Sequence, residues 1–268
     1  MGAGTAVCGE EIMTLKQKVC RILYILAPVL LYMLAEGLAA QGIAMLEQDP
    51  ALPWHFPASP GDRALLGLAA GSAAGALSIM PMALPEIKKH EGNAGAPVGR
   101  AAGRPVVFAL STVCFALFMN TLLSLAGSGE AGYAEGSGLL TGLAVYGLLT
   151  PFCEELLFRG TVYGRLRTDL GPRSAAALSG ALFGIWHGNL TQGIYGALMG
   201  FLFAVAYEKS AHFAVPFLLH AGVNALFLLL MAGGTYEGLC SPAFCGVFLL
   251  LSAAGFFGLY RTRKSGRF

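Results

Sequence analysis

Long apolar stretches, separated by short polar segments, dominate the pattern of this chain. A helix needs about 20 mostly apolar residues to cross the ~30 Å hydrocarbon core of a membrane. The strict alternation of polar and apolar positions that marks a membrane β-barrel does not occur in this sequence. We therefore predict an all-α polytopic membrane protein with about eight transmembrane helices. The predicted spans are 19–46, 64–84, 105–126, 138–158, 174–190, 192–207, 213–232 and 243–260.

The composition supports the same class of protein. Of the 268 residues, 56% are hydrophobic and only 12% are charged, whereas soluble domains carry about 25% charged residues. No basic stripe interleaved with aromatic residues indicates nucleic-acid binding. Membrane lipid is therefore the expected surrounding, and nucleic acid is not an expected partner. No small-residue cleavage site accompanies the first apolar stretch, so this stretch is expected to stay in the membrane.

Basic residues decide the predicted orientation, because Lys and Arg collect on the cytoplasmic side of membrane proteins. With the N-terminus inside, every Lys and Arg except Arg63 falls in an inner segment. The predicted outer loops carry acidic residues, and Trp54, Tyr133 and Tyr236 lie near the expected interface. We therefore predict that both termini are cytoplasmic and that the Gly-, Ala- and Pro-rich stretch 91–104 is a mobile inner loop.

Small residues recur at a spacing of four in two of the spans. Gly67, Gly71 and Gly75 lie in the second span, and Gly196 and Gly200 lie in the sixth. Such rows allow helix backbones to approach closely, so they predict packing rather than chemistry.

Two cysteines flank a short loop before the last span. Cys240 and Cys245 could oxidise to a disulfide if this loop faces an oxidising compartment. The alternative is that both remain free thiols.

Several polar and titratable residues fall inside the predicted spans. A charged group surrounded by lipid is costly unless it is paired or faces water, so each such group is a functional hypothesis. Glu36 is a weaker candidate because it can reach the outer interface, and Asn120 is weaker still. The complete set is Glu36, Asn120, Glu154, Glu155, His187, His220 and Asn224.

The fourth span carries two adjacent carboxylates with different neighbours. Glu155 and Arg159 lie four residues apart, which places them on one helix face at ion-pair spacing. Glu154 points ~140° away from Arg159 around the helix, so it is freer to face a cavity. The spacing predicts a supporting role for Glu155 with Arg159 and a chemical role for Glu154. His220 and Asn224 share one stripe of the seventh span through the same spacing of four.

One free carboxylate, two imidazoles and an amide can together hydrolyse a peptide bond. Glu154 could deprotonate a water molecule as a general base, while Asn224 and one histidine donate hydrogen bonds to the developing oxyanion. Alternatively, Glu154, His187 and His220 are a ligand set that suits a divalent zinc ion with an open position. A proton relay in a transporter could use the same residues. The residues alone leave these alternatives open.

Three short motifs follow one another on three predicted helices, whereas the HExxH, GxSG and GxGD motifs of other intramembrane proteases do not occur. The motifs are Glu154-Glu155-x-x-x-Arg159, Phe183-x-x-x-His187 and His220-x-x-x-Asn224. In this order they resemble the signature of the CAAX-protease and bacteriocin-processing family. This family is also called CPBP or Abi and includes the type II CAAX prenyl endopeptidases. The resemblance covers roughly residues 139–230.

The resemblance implies an intramembrane endopeptidase of metallo- or glutamate-type. It implies a membrane-anchored peptide or protein as substrate, prenylated in CAAX-type members, and a site that opens to the cytoplasm of a prokaryotic cell. A divalent zinc ion is implied for a metal-dependent mechanism and no cofactor for a glutamate-type mechanism. By residue, it implies catalytic roles for Glu154, His187, His220 and Asn224, supporting roles for Glu155 and Arg159, and zinc ligation by Glu154, His187 and His220.

We divide the chain accordingly into three parts. Residues 1–138 hold the first three spans and their loops, 139–232 form the family-like catalytic core, and 233–268 hold the last span and a basic tail. The alternative functions are a non-catalytic bacteriocin-immunity or scaffold protein of the membrane and a proton-coupled transporter.

Overall fold

The computed structural model describes residues 14–49, 59–93, 103–127 and 136–265, and its regular elements are all helical over these ranges. The predicted interface residues Trp54 and Tyr133 lie outside the described residues, as does most of the predicted loop 91–104. The helices are α1 (Leu15–Leu46), α2 (Pro60–Asn93), α3 (Gly103–Leu125), α4 (Leu139–Asp169), α5 (Pro172–Trp186), α6 (Leu190–Ser210), α7 (Ala214–Ala232), the single turn α8 (Tyr236–Leu239) and α9 (Pro242–Ser265).

Seven of these helices are long and apolar enough to cross a membrane, namely α1, α2, α3, α4, α6, α7 and α9. The prediction of an all-α polytopic membrane protein is therefore confirmed. The fifth predicted span does not correspond to such a helix, because α5 contains only 15 residues. At 1.5 Å per residue it is about 22 Å long, which is shorter than the hydrocarbon core. The cytoplasmic location of both termini stays a prediction.

The fourth span is longer than its predicted end at residue 158, since α4 continues to Asp169. Arg159, which the charge pattern assigned to an inner segment, is completely buried inside this helix. Its charge is tolerated there because Glu155 pairs with it. Two segments of α4 are π-helical, Leu143–Leu149 and Phe158–Tyr163, and they flank the two adjacent carboxylates. Such segments occur frequently at functional sites.

Helix α4 lies at the centre of the bundle. Its side chains Leu157 and Phe158 are fully buried and belong to a core with residues of α1, α2, α5 and α6. Around this core α1 packs on α2, α5 packs on α6, and α3 packs on α9. The outer helices α1 and α9 expose large apolar side chains, including Leu34 at 59% and Leu250 at 70%, which is the surface expected where helices face lipid.

The predicted close approach of helices at glycine is confirmed in α6. A Cβ at Gly200 would lie 2.9 Å from the Phe183 ring, and one at Gly196 would lie 3.1 Å from His187 Nδ1. In α2, a Cβ at Gly75 would lie 2.8 Å from the Tyr32 ring, whereas no described residue lies within 4 Å of a Cβ at Gly67. The predicted close approach is therefore not found at Gly67 in the part of the chain that the structure describes.

The structure also describes the two cysteines and the tyrosine near the last span. Cys240 and Cys245 are free thiols rather than a disulfide. Tyr236 is only 4% exposed and packs against the ring of Phe227 on α7 at 5.9 Å. It is therefore buried within the protein, and its position near the membrane interface stays a prediction.

Candidate active site

A cavity of about 720 Å³ lies between α4, α5, α6 and α7, and α2 and α3 close its sides. Glu154, His187, His220 and Asn224 all line this cavity, so the structure brings together the residues that were predicted to be catalytic. Its remaining wall is mixed, with apolar side chains beside hydroxyl and amide groups. The apolar side chains include Leu68, Leu123, Met199, Val223, Phe227 and Met231.

Glu154 and His220 lie next to each other on the cavity wall. The distance from Glu154 Oε2 to His220 Nε2 is 3.7 Å, and both side chains are largely buried, at 12% and 8% exposed. This distance is longer than a direct hydrogen bond, but it allows both atoms to contact one water molecule. The free orientation predicted for Glu154 from its helix position is therefore what the structure shows.

Glu155 holds His220 in place from the opposite side of the imidazole ring. His220 Nδ1 lies 3.0 Å from Glu155 Oε1. Since an ionised carboxylate can only accept, Nδ1 carries a proton, and in the neutral form of the ring Nε2 presents a lone pair toward Glu154. This contact was not predicted, because the two residues are 65 positions apart and no local spacing indicates it.

Arg159 fixes the other oxygen of the Glu155 carboxylate. Arg159 Nε lies 3.0 Å from Glu155 Oε2, and neither side chain is exposed. The guanidinium also donates from Nη2 to Gly200 O at 2.8 Å and lies between the rings of Phe183 and Phe203, 5.2 and 5.5 Å from their centroids. These aromatic faces attract the cation, so Arg159 is fixed by three kinds of contact. The predicted supporting pair of Glu155 and Arg159 exists as an ion pair.

Phe183 contacts both imidazoles as well as the guanidinium. Its ring lies edge-on to His187 at 4.9 Å and to His220 at 5.8 Å, while Phe203 stacks on His220 at 4.7 Å. The sequence placed Phe183 in a motif without giving it a role. Its position indicates that it separates and orients the two histidines.

His187 lies at the end of α5, where the chain turns sharply into α6. Its Nδ1 lies 2.8 Å from Phe183 O, and because a carbonyl only accepts, Nδ1 must carry a proton and Nε2 is left available. Gly188 has a φ of +70°, a conformation that favours glycine. Asn189 then caps α6 by accepting a hydrogen bond from Gln192 N at 2.8 Å. Asn189 also lines the cavity, so the turn between α5 and α6 forms part of the cavity wall.

Asn224 is held by the backbone of α4. Its Nδ2 donates to Tyr146 O at 3.0 Å, in the π-helical segment that precedes Glu154. A primary amide carries two N–H donors, so one remains for a group in the cavity. The sequence identified Asn224 but gave no indication of this contact.

The two weaker candidates differ from the main set. Glu36 on α1 does not line the cavity and lies 3.5 Å from Ser72 Oγ on α2. Asn120 on α3 does line the cavity, but its Nδ2 donates to Ala116 O of its own helix at 2.9 Å. Within the described residues, neither Glu36 nor Asn120 forms a hydrogen bond to Glu154, His187 or His220.

The donor chemistry of the site suits a metal ion, but the spacing does not. An imidazole whose Nδ1–H is held by an oxygen, as in both histidines, is the usual form of a metal-binding histidine. Over the described ranges, however, no three His, Cys, Asp or Glu side chains are grouped so that they could hold one ion. The predicted zinc ligands Glu154, His187 and His220 therefore do not form a metal-binding group in this arrangement.

Comparison with known proteins agrees with the resemblance seen in the motifs. Residues 136–226 match the family model described as "Type II CAAX prenyl endopeptidase Rce1-like". The chain is also 28% identical over 88 residues to "Putative membrane peptidase YdiL" of Bacillus subtilis (strain 168), an alignment that covers 33% of this chain and 36% of that protein. The match thus spans about a third of that relative's length. No solved structure matches the chain. The matched residues include α4, α5, α6 and most of α7, so the predicted family resemblance is confirmed for the part of the protein that contains the cavity.

Proposed function

We propose that this chain, which is similar over residues 136–226 to type II CAAX prenyl endopeptidases, is an intramembrane endopeptidase. In this proposal Glu154 activates a water molecule that attacks a peptide bond within the cavity. The observation that carries the proposal is the pair of acceptors, Glu154 Oε2 and His220 Nε2, which face each other at 3.7 Å. Similarity to a protein named as a membrane peptidase supports the same reaction class.

The water is activated by two acceptors. It donates one hydrogen to Glu154 Oε2 and the other to His220 Nε2, so that a lone pair on its oxygen is directed away from both. Glu154 takes the first proton as a general base during attack. Glu155 keeps the tautomer of His220 that makes Nε2 an acceptor.

The tetrahedral intermediate needs hydrogen-bond donors for its negative oxygen. Asn224 supplies the N–H that is not used by Tyr146 O. His187 can donate from Nε2 only as an imidazolium, because its Nδ1–H is already held by Phe183 O. Collapse of the intermediate breaks the C–N bond, and Glu154 then returns the proton to the departing amine. The reaction consumes one water and leaves a new carboxylate and a new amine.

The substrate class follows from the position and lining of the cavity. Because helices that are long enough to cross a membrane enclose it, we propose a membrane-anchored peptide or protein as substrate. Apolar groups such as Phe227 and Met231 suit an apolar side chain or lipid group next to the cleaved bond. The description of the matched family makes a prenylated CAAX-type peptide the first substrate to test.

The test is a pair of carboxylate variants assayed in lipid vesicles. Glu154→Gln should lower cleavage of a membrane-anchored peptide by at least about 10²-fold, since a neutral amide cannot take the proton. Glu36→Gln, which changes a carboxylate of α1 outside the cavity, should stay within about twofold of the unmodified protein. Both variants must elute as the unmodified protein does on size exclusion. Full activity of Glu154→Gln would remove the role proposed for this residue, and pH-dependent flux without any cleavage would favour a transporter instead.

A further inference from the structure

The first π-helical segment of α4 ends at Leu149, and Pro151 follows after Thr150. At this point Thr150 N–H donates to Val145 O, five residues earlier. The next donor of such a ladder would be the N–H of residue 151, and its acceptor would be Tyr146 O. Proline has no N–H. The carbonyl of Tyr146 is therefore left without this donor from its own helix.

The side chain of Asn224 supplies the missing donor. Its Nδ2 lies 3.0 Å from Tyr146 O. The hydrogen bond is part-buried, and a carbonyl that is partly removed from water is more stable with a donor, so this oxygen holds the amide group in one orientation. In that orientation Asn224 lines the cavity together with Glu154, which follows Pro151 by less than one helical turn.

We infer that Pro151 is a positioning residue for Asn224. Because Pro151 has no N–H, Tyr146 O can accept a hydrogen bond from Asn224 Nδ2 instead. This bond orients the Asn224 amide toward the cavity. Pro151 is buried in α4 and acts only through Asn224. The kinetic consequence of this arrangement rests on the proposed function, whereas the hydrogen bond itself does not.

Replacing Pro151 by a residue with an N–H tests the inference. In Pro151→Ala the new N–H can close the ladder onto Tyr146 O, and alanine favours the helix, so the variant is expected to fold. We expect kcat to fall about tenfold with KM within about twofold, because an oxyanion donor acts on the transition state more than on substrate binding. Pro81→Ala is the matched control, since Pro81 also lies inside a helix but is exposed and outside the cavity lining.

A second measurement separates the inference from the proposed function. Asn224→Ala is introduced into the unmodified protein and, separately, into Pro151→Ala. The thermal unfolding temperature (Tm) is measured in one detergent for each of these proteins with and without Asn224→Ala. With Pro151 present, loss of this part-buried hydrogen bond should lower Tm by about 3 °C. With Ala at 151, Tyr146 O already has a donor, so the further loss should be less than about 1 °C.

The outcomes are distinguishable. Equal losses of Tm in the two backgrounds, or full kcat in Pro151→Ala when Asn224→Ala is impaired, would overturn the positioning role. Coupled Tm values in a protein that cleaves no peptide would support the positioning role and refute the proposed function. If Pro151→Ala does not fold, Pro151→Ser supplies the same N–H and is measured in its place.

Discussion

Two clusters of charged and aromatic side chains lie along α4, and they differ in what their polar atoms face. The cavity cluster comprises Glu154, Glu155, Arg159, His187 and His220. The end cluster comprises Tyr163 and Arg167 near the end of α4, together with Glu208 on α6.

In the end cluster both oxygens of the Glu208 carboxylate have a close donor. Glu208 accepts from the Tyr163 hydroxyl at 2.6 Å and lies 3.1 Å from Arg167 Nη2. The ion pair is partly exposed, at 37% and 25% for the two side chains, and a smaller cavity of about 320 Å³ adjoins it. These contacts connect the ends of two helices.

In the cavity cluster one carboxylate has close polar partners and the adjacent carboxylate does not. Glu155 lies 3.0 Å from both Arg159 Nε and His220 Nδ1, whereas among the described residues the ion-pair partner of Glu154 is His220 Nε2 at 3.7 Å. The difference shows that buried charge alone does not identify a site. What distinguishes the cavity cluster is a basic oxygen and a basic nitrogen that share an open space and have fixed orientations.

The largest expected difference between the clusters is in stability. Arg159→Leu leaves Glu155 buried without its counter-charge and should lower the free energy of unfolding by about 3–5 kcal/mol. Arg167→Leu removes a partly exposed pair and should cost at most about 1 kcal/mol. Denaturant unfolding of both variants in one detergent measures the two values. Equal losses would mean that the buried pair with Glu155 is no more important than the exposed one with Glu208.

The next expected effect is on turnover. Glu155→Gln still offers an oxygen to His220 Nδ1–H but removes the charge that fixes both His220 and Arg159. We expect kcat/KM to fall about 10–100-fold, by analogy with the partners that orient metal-binding histidines. Glu208→Gln should remain within about twofold. The measurement is cleavage of the same vesicle-bound peptide by each variant. A loss of the same size in Glu208→Gln would contradict the distinction between the clusters.

A smaller effect is expected where Gly200 allows Phe183 to approach. In Gly200→Ala the added methyl group would lie 2.9 Å from the Phe183 ring, so we expect a loss of about 1–3 kcal/mol in the free energy of unfolding. Gly258→Ala is the control, because nothing lies within 4 Å of a Cβ there, and it should be neutral or stabilising by up to about 1 kcal/mol. A neutral Gly200→Ala would show that this contact relaxes without cost.

The smallest expected effect concerns metal ions. The mechanism proposed above uses only groups of the protein, so dialysis against a chelator should leave turnover within about twofold. The measurement combines metal analysis of the purified protein with the peptide assay before and after chelation. Loss of activity that zinc restores would instead assign Glu154, His187 and His220 as ligands, with a rearrangement that brings them together around the ion.

Local spacing accounts for what the sequence could predict at the site. The ion pair of Glu155 with Arg159 follows from a separation of four on one helix, and the structure contains it at 3.0 Å. The apolar stretches likewise predicted most of the long helices, because membrane thickness sets their minimum length. The same rule failed for α5, which contains only 15 residues and ends before the turn at Gly188.

Contacts between distant segments account for what could not be predicted. The hydrogen bond of His220 to Glu155 depends on how α7 packs against α4, and no periodicity within either helix encodes it. The bond of Asn224 to Tyr146 O depends in addition on a π-helical segment. The charge pattern predicts that the fourth span ends before Arg159, but α4 continues to Asp169, because Arg159 is buried and paired with Glu155.

The most direct test of the whole account uses isotopically labelled water and a peptide captured by the inactive variant. Glu154→Gln is purified from membranes, co-purifying peptides are identified by mass, and each peptide is then offered to the unmodified protein in H₂¹⁸O. We predict that the unmodified protein cleaves the captured peptide in a single turnover with one ¹⁸O atom in the new carboxylate, while Glu154→Gln leaves it intact. Cleavage by Glu154→Gln at the rate of the unmodified protein would contradict the account.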